Sequence, residues 1–227
     1  MTKAWPITLS DCHVARVPAA DGPLYDPRWR MLDDGDLDLL ATRLTAGRAR
    51  PIPIFAYGSL IWNPGFTVGG QRRGTAIGWH RSFSIPLEHF RGSPDRPGLM
   101  LALASGGQCE GLVLDIAAGT ETESLRAILK RELVAHELAA NACWITVETD
   151  RGIEEALTFY ADPVGTPVER LTIPQQARRL AHAAGAAGSG AEYLLRTVRG
   201  LAEHGIHDDY IWTLQHQVAR EIEAAAA

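Results

Sequence analysis

Between Ile52 and Ala161 the chain carries six short apolar runs, often β-branched or aromatic, each bounded by turn-forming residues. They are Ile52–Tyr57, Arg73–Pro86, Leu99–Ala104, Cys109–Ile116, Cys143–Glu148 and Glu155–Tyr160, and the pattern predicts strands. Ser105-Gly106-Gly107 and Asp150-Arg151-Gly152 are expected to close hairpins, because glycine reaches positive φ without a Cβ clash. About six mostly antiparallel strands point to a small barrel or curled sheet.

Helical patterning surrounds this region and makes the chain α+β. Asp36 to about Ala46 is the convincing helix of the first fifty residues, which are otherwise rich in Pro, Gly, Asp and Arg; Pro51 and Pro53 close it off. Residues 1–50 are therefore expected as an N-terminal extension packed on the core, and residues 51–227 as the main domain. A helix from about Thr120 to Leu138 is expected to interrupt the strands, with Leu125, Ile128, Leu129, Leu133 and Val134 on its apolar face. Thr120, Glu121 and Glu123 suit its positive end. After Asp162 three more helices are expected, Pro174–Ala184, Gly190 to about His204 and Asp208–Ala227, with the Ala- and Gly-rich stretch Ala183–Gly190 as a linker.

Composition removes several classes of function. A formal net charge of −5, with scattered basic residues, argues against a nucleic-acid partner. No apolar run approaches the roughly 18 residues of a membrane span, and the first residues lack the order of a secretory signal, so a cytoplasmic protein with no membrane partner is expected. Cys12, Cys109 and Cys143 are far apart, odd in number and without a CxxC, which suggests buried free thiols. A monomer is expected.

The run Phe55-Ala56-Tyr57-Gly58-Ser59-Leu60-Ile61-Trp62-Asn63-Pro64 carries the most chemistry. An apolar strand ends in Tyr-Gly-Ser, where a glycine and a small residue let the backbone turn sharply and expose N–H groups suited to a carboxylate or a developing oxyanion. Three segments follow it: Arg91-Gly92-Ser93-Pro94-Asp95-Arg96-Pro97-Gly98-Leu99, Arg131-Glu132-Leu133 and Ala191-Glu192-Tyr193-Leu194. In this order the four resemble the ChaC family of glutathione-specific γ-glutamylcyclotransferases, over about Ile54 to Leu214. The first two motifs are specific; the last two count only in their company.

The resemblance implies a γ-glutamylcyclotransferase-like fold, a small mixed β-barrel with flanking helices, and no cofactor. It implies a small-molecule substrate, glutathione or another γ-glutamyl peptide, whose γ-glutamyl group is held by Tyr57, Gly58, Ser59 and Leu60. It also implies that Glu132 is catalytic. Arg96 is a further binding candidate, since a guanidinium fork matches a carboxylate, although a rigid loop with solvated charges reads equally well. Tyr193 is another, with core packing as its alternative.

The chemistry explains why one glutamate suffices. In a γ-glutamyl compound the α-amine reaches its own γ-carbonyl through a five-membered ring, and tethered attack is worth about 7–11 kcal/mol. One carboxylate can take a proton from that amine and return it to the leaving group, a role worth roughly 10²–10⁴ in rate. A glutamate with an ordinary pKa of about 4.3 is a weak base for this unless burial raises it, and Glu132 lies between Leu129 and Leu133.

Other readings remain beside this one. After Arg-Glu the family continues with a short Gly/aromatic segment, whereas here Val134-Ala135-His136-Glu137-Leu138-Ala139-Ala140-Asn141 follows, which makes Glu137 a rival for the catalytic role. Glu132 and His136 stand at i,i+4, but Ala140 occupies the place of a second histidine, so a surface pair is expected there and no metal site. Ser59, in Tyr57-Gly58-Ser59-Leu60-Ile61, lacks the glycines of a G-x-S-x-G nucleophile elbow at the required spacing. Activity on other γ-glutamyl amino acids or amines, and a non-catalytic module that binds small anionic metabolites, both stay open.

Overall fold

The computed structural model describes residues 5–161 and 165–226. They form two compact units, one of residues 29–81, 103–161 and 165–166, the other of residues 5–28, 82–102 and 167–226. In chain order the elements are α1 (Asp11–Val14), α2 (Asp34–Thr45), β1 (Pro53–Ala56), α3 (Ser59–Trp62), β2 (Val68–Leu87), β3 (Gly98–Ile116), α4 (Glu121–Glu132), β4 (Ala142–Thr149) and β5 (Gly152–Phe159). There follow α5 (Ile173–His182), β6 (Ala184–Gly185), β7 (Gly188–Ser189), α6 (Gly190–Glu203) and α7 (Asp209–Ala224). The boundary between the units falls within β2 and within β3.

The first unit is built on a closed barrel with strand order β1-β3-β2-β4-β5. Antiparallel pairing sets β1 on β3 from Pro53 opposite Asp115 to Ala56 opposite Leu112, and a parallel contact of Ile54 with Leu157 closes the ring. Alternation puts Phe55, Ala76, Leu103, Cys109, Val113, Ile145, Val147 and Ala156 in one buried cluster, against which Tyr57, Trp79, Cys143 and Tyr160 pack. Gly111 lets β3 approach β1 closely, because a Cβ there would stand 2.5 Å from the Ala56 carbonyl oxygen.

Five strands make this barrel, not six. The expected Asp150–Gly152 hairpin joins β4 to β5, but Ser105-Gly106-Gly107 does not reverse the chain: β3 runs through it without a break. Gly106 and Gly107 do adopt positive φ, 100° and 74°. The same freedom serves a bulge as well as a turn, so the glycines alone could not tell the two apart.

The helix expected to reach Leu138 stops at Glu132, and a single 3-10 turn follows at His136–Leu138. Local propensity favours continuation, but the backbone is diverted: the Leu32 N–H donates to the Val134 carbonyl at 3.1 Å and the His136 N–H to the Arg30 carbonyl at 2.9 Å.

In the second unit α5, α6 and α7 pack on one another through Leu180, Leu194, Val198, Leu201, Ile211, Leu214 and Val218, all buried. Ser189 and Asp208 cap α6 and α7, their side-chain oxygens accepting from the N–H groups of Glu192 and Ile211 at 3.1 Å each. The expected linker is a small hairpin, with Ala184 opposite Ser189 and Gly185 opposite Gly188. Asp162 and Ala227, bounds used in the sequence reading, lie outside the described residues.

Of the cysteines, Cys109 is buried and Cys143 half-buried, but Cys12 is exposed on α1, against the expectation of three buried thiols. Among the described residues no helix is long and apolar enough to cross a membrane.

Candidate active site

The site begins where β1 runs out. Thr158 donates its hydroxyl to the Phe55 carbonyl at 3.0 Å and fixes the last strand residues. Arg81, 3% exposed, then holds the chain end: its Nε donates to the Tyr57 carbonyl at 2.7 Å and its Nη2 to the Glu110 carbonyl. Gly58 turns the chain into α3, whose Leu60 and Ile61 are buried and anchor the turn from below. The Ile61 N–H donates to the Gly58 carbonyl at 3.0 Å, whereas Ser59 and Leu60 stand in the first turn, where helix geometry leaves N–H groups without an intrahelical acceptor.

Glu132 arrives from the other direction, as the last residue of α4. Leu125, Ile128 and Leu129 bury that helix, and Leu133 follows with no exposure at all. The Glu132 side chain is 22% exposed, but its Oε1 is buried and accepts no hydrogen bond from any described group. Arg131 Nε lies 3.2 Å from that oxygen, an ion-pair contact whose angle is too poor for a hydrogen bond. Burial pushes the Glu132 pKa up from the ordinary carboxylate value, against the opposing pull of the Arg131 charge.

Arg131 links the two halves. Its Nη2 donates to Ser59 Oγ at 2.6 Å and its Nη1 to the Asn63 carbonyl, so one guanidinium spans the turn and the end of α4. This also disposes of Ser59 as a nucleophile, since the hydroxyl faces a group that cannot take its proton.

The rival carboxylate has different surroundings. Glu137 is exposed on the 3-10 turn and accepts from the N–H and Nε of Arg30 at 3.2 and 3.3 Å. Hydrogen bonds donated by its own backbone N–H and by Arg30 hold its pKa below the ordinary value. His136 does not pair with Glu132: α4 ends between them, and its Nε2 lies 3.1 Å from Asp36 Oδ2. Among the described residues no cluster of three or more metal-ligating side chains occurs.

The structure thus brings Tyr57, Gly58, Ser59, Leu60 and Glu132 together in the barrel unit by way of Arg131. Arg96 and Tyr193 belong to the other unit. Arg96 is exposed on a loop closed by mutual Ser93 and Arg96 backbone bonds of 3.1 Å, and it lines a cleft of about 530 Å³ with Asp95, Arg178, Arg179 and His182. Tyr193, half-buried on α6, meets Phe83 edge-on at 6.0 Å and lies under the Arg91 guanidinium at 5.5 Å. The sequence reading missed Arg81 and the bridging role of Arg131. A lone arginine inside an apolar strand was the available signal for the first, and its place beside Glu132 for the second.

Comparison with known proteins follows the same line. A model of the ChaC-like protein family matches residues 52–221. The glutathione-specific γ-glutamylcyclotransferase of Escherichia coli is 34% identical over 160 residues, 70% of this chain and 69% of the relative. γ-Glutamylcyclotransferase 2-1 of Arabidopsis thaliana is 25% identical over 179 residues, 75% of this chain and 83% of its own. Among solved structures, a yeast γ-glutamylcyclotransferase specific to glutathione superposes with a TM-score of 0.65 at 18% identity, covering 75% of this chain and 96% of that one; it supports the fold.

Proposed function

Because this chain belongs to the ChaC-like protein family, we propose that it degrades glutathione by cyclising the γ-glutamyl group, with Glu132 as the general acid and base. The substrate's α-amine attacks its own γ-carbonyl carbon. A carbon–nitrogen bond forms, the bond to the cysteine nitrogen breaks, and 5-oxoproline and Cys-Gly separate without consuming water. The proton lost by the amine passes to Glu132 and from there to the departing nitrogen. N–H groups of the Tyr57–Leu60 turn face the oxyanion that develops between these steps.

The observation that carries the reading is the buried Oε1 of Glu132, which accepts no hydrogen bond and stands beside Arg131, itself tied to the turn after β1. An acceptor left unmade in a folded protein costs about 1–3 kcal/mol, and a substrate amine is the donor that would satisfy it. A raised pKa suits the same task, because a stronger base accepts the proton and its conjugate acid still releases it near neutral pH.

Purified protein incubated with glutathione, and separately with a γ-glutamyl amino acid, tests this by release of 5-oxoproline. Product from glutathione and little from the other supports glutathione as substrate; product from the other alone reassigns it, and product from neither leaves a binding module. Arg96 is the proposed partner of a substrate carboxylate, and Arg96→Ala with an unchanged KM for glutathione removes it from that role. Tyr193 carries the same proposal, tested by Tyr193→Leu. The protein is proposed to work as a cytoplasmic monomer, and its net charge of −5 fits a small-molecule partner in preference to nucleic acid.

A further inference from the structure

Residues 29–45 lie outside the stretch matched to the family, yet they grip the chain on both sides of Glu132. On the far side Met31 pairs antiparallel with Ala135, flanked by the two backbone bonds that divert the chain from α4. The Arg30–Glu137 and His136–Asp36 contacts, at 3.3 and 3.1 Å, bracket that bridge. On the near side Arg126 of α4 reaches Asp34 Oδ1 at 3.3 Å and Asp38 Oδ1 at 3.1 Å on α2. The ion pairs are partly exposed and individually worth about 0–1 kcal/mol. Ala135, by contrast, is wholly buried, so the bridge is the firmer contact.

We infer that residues 29–38 are a positioning element for the acid/base: by pairing with residues 134–136 they end α4 at Glu132 and fix where its carboxylate points. The inference rests on the reading of Glu132 given above. Without that pairing, Val134 to Leu138 would continue the helix that their sequence favours, and the wall of Leu133 and Ala135, both without exposure, would be rebuilt. A reactive group moved by an ångström loses about 10²-fold in rate, so a segment remote from the chemistry can govern kcat.

Leu32→Pro deletes the N–H that donates to Val134, and Arg126→Gln deletes the tie to α2, with Arg126→Lys as the conservative rescue. Activity is expressed per folded molecule, and amide exchange at residues 134–136 reports whether the pairing is released. The expected result for Leu32→Pro is a kcat at least about tenfold lower with KM within about twofold, and for Arg126→Gln a smaller fall in kcat that Arg126→Lys restores. The inference is overturned if exchange shows residues 134–136 released while kcat per folded molecule is unchanged, or if Leu32→Pro leaves them protected. If Leu32→Pro does not fold, Arg126→Gln is judged by the same two readings. Full turnover by Glu132→Gln in the otherwise native chain would instead remove the reading on which the inference stands.

Discussion

Replacing Glu132 by glutamine should make the protein more stable while it stops turnover. The side chain keeps its shape but loses a charge whose Oε1 is buried and accepts no hydrogen bond. The neutral amide left in its place is still without a partner, so what returns is the excess cost of burying the charge, about 1–3 kcal/mol, and losing the contact with the partly exposed Arg131 gives back at most about 1 kcal/mol. A net gain of about 1–2 kcal/mol corresponds to a Tm rise of about 2–8 °C for a chain of this size. The pH dependence fixes the cause. The folded pKa of Glu132 lies above its unfolded value, so the native state binds that proton more tightly and the penalty is absent at low pH. It opens above the ordinary glutamate value of about 4.3 and is complete once the pH passes the folded pKa. Scanning calorimetry of both proteins from pH 4 to 8, beside a 5-oxoproline assay, should therefore show Tm curves that converge in acid and diverge toward neutrality, with kcat lower by about 10²–10⁴ in the variant. Parallel Tm curves, or a variant that is less stable at neutral pH, would refute the claim that Glu132 is held ionisable against its surroundings.

Three further outcomes follow from the same geometry. Arg131→Met removes the donor to Ser59 and the charge beside Glu132, so kcat should fall and the acid limb of the kcat profile should move to higher pH, because the one interaction lowering the Glu132 pKa is gone. Glu137→Gln keeps an acceptor for Arg30 and should retain kcat within about threefold, since an exposed carboxylate already hydrogen-bonded is not the acid/base; a loss of 10²-fold or more would transfer the role to it. Alkylation followed by mass spectrometry should label exposed Cys12 first, because burial pushes the Cys143 thiol up to about 11 and Cys109 is 1% exposed.

How much was legible in the sequence follows from the range of the forces involved. Strand and helix positions are written in alternation and periodicity, which is why β4, β5, α2, α6 and α7 fall within a few residues of expectation. The turn after β1 is likewise local, a Gly-Ser pair at the end of an apolar strand. Two of the departures are tertiary. Gly106 and Gly107 take the positive φ anticipated for them, but whether that bends a strand or reverses it depends on strands far away in the chain. The end of α4 depends on Leu32 and Arg30, about a hundred residues earlier, whose backbone groups take over the partners that helix continuation would have used. Arg81 was hidden for the same reason: its partners are carbonyls at Tyr57 and Glu110, and carbonyls leave no mark on a sequence.

Glu132 and Glu137 lie five residues apart, and the comparison between them isolates what makes a carboxylate reactive. Both have an arginine beside them, so a neighbouring positive charge is not the difference. Glu137 stands in solvent and receives two hydrogen bonds from Arg30, which stabilise its charged form and lower its affinity for a proton. Glu132 has its Oε1 buried, and its arginine donates elsewhere, to Ser59 and Asn63, leaving charge near the carboxylate without a hydrogen bond to that oxygen. A base must keep its lone pairs free until substrate arrives, and an arginine turned fully onto Glu132 would both fill them and pull the pKa down. The bond from Arg131 to Ser59 therefore does two things at once: it locates the binding turn, and it holds the guanidinium away from the oxygen that has to accept the proton.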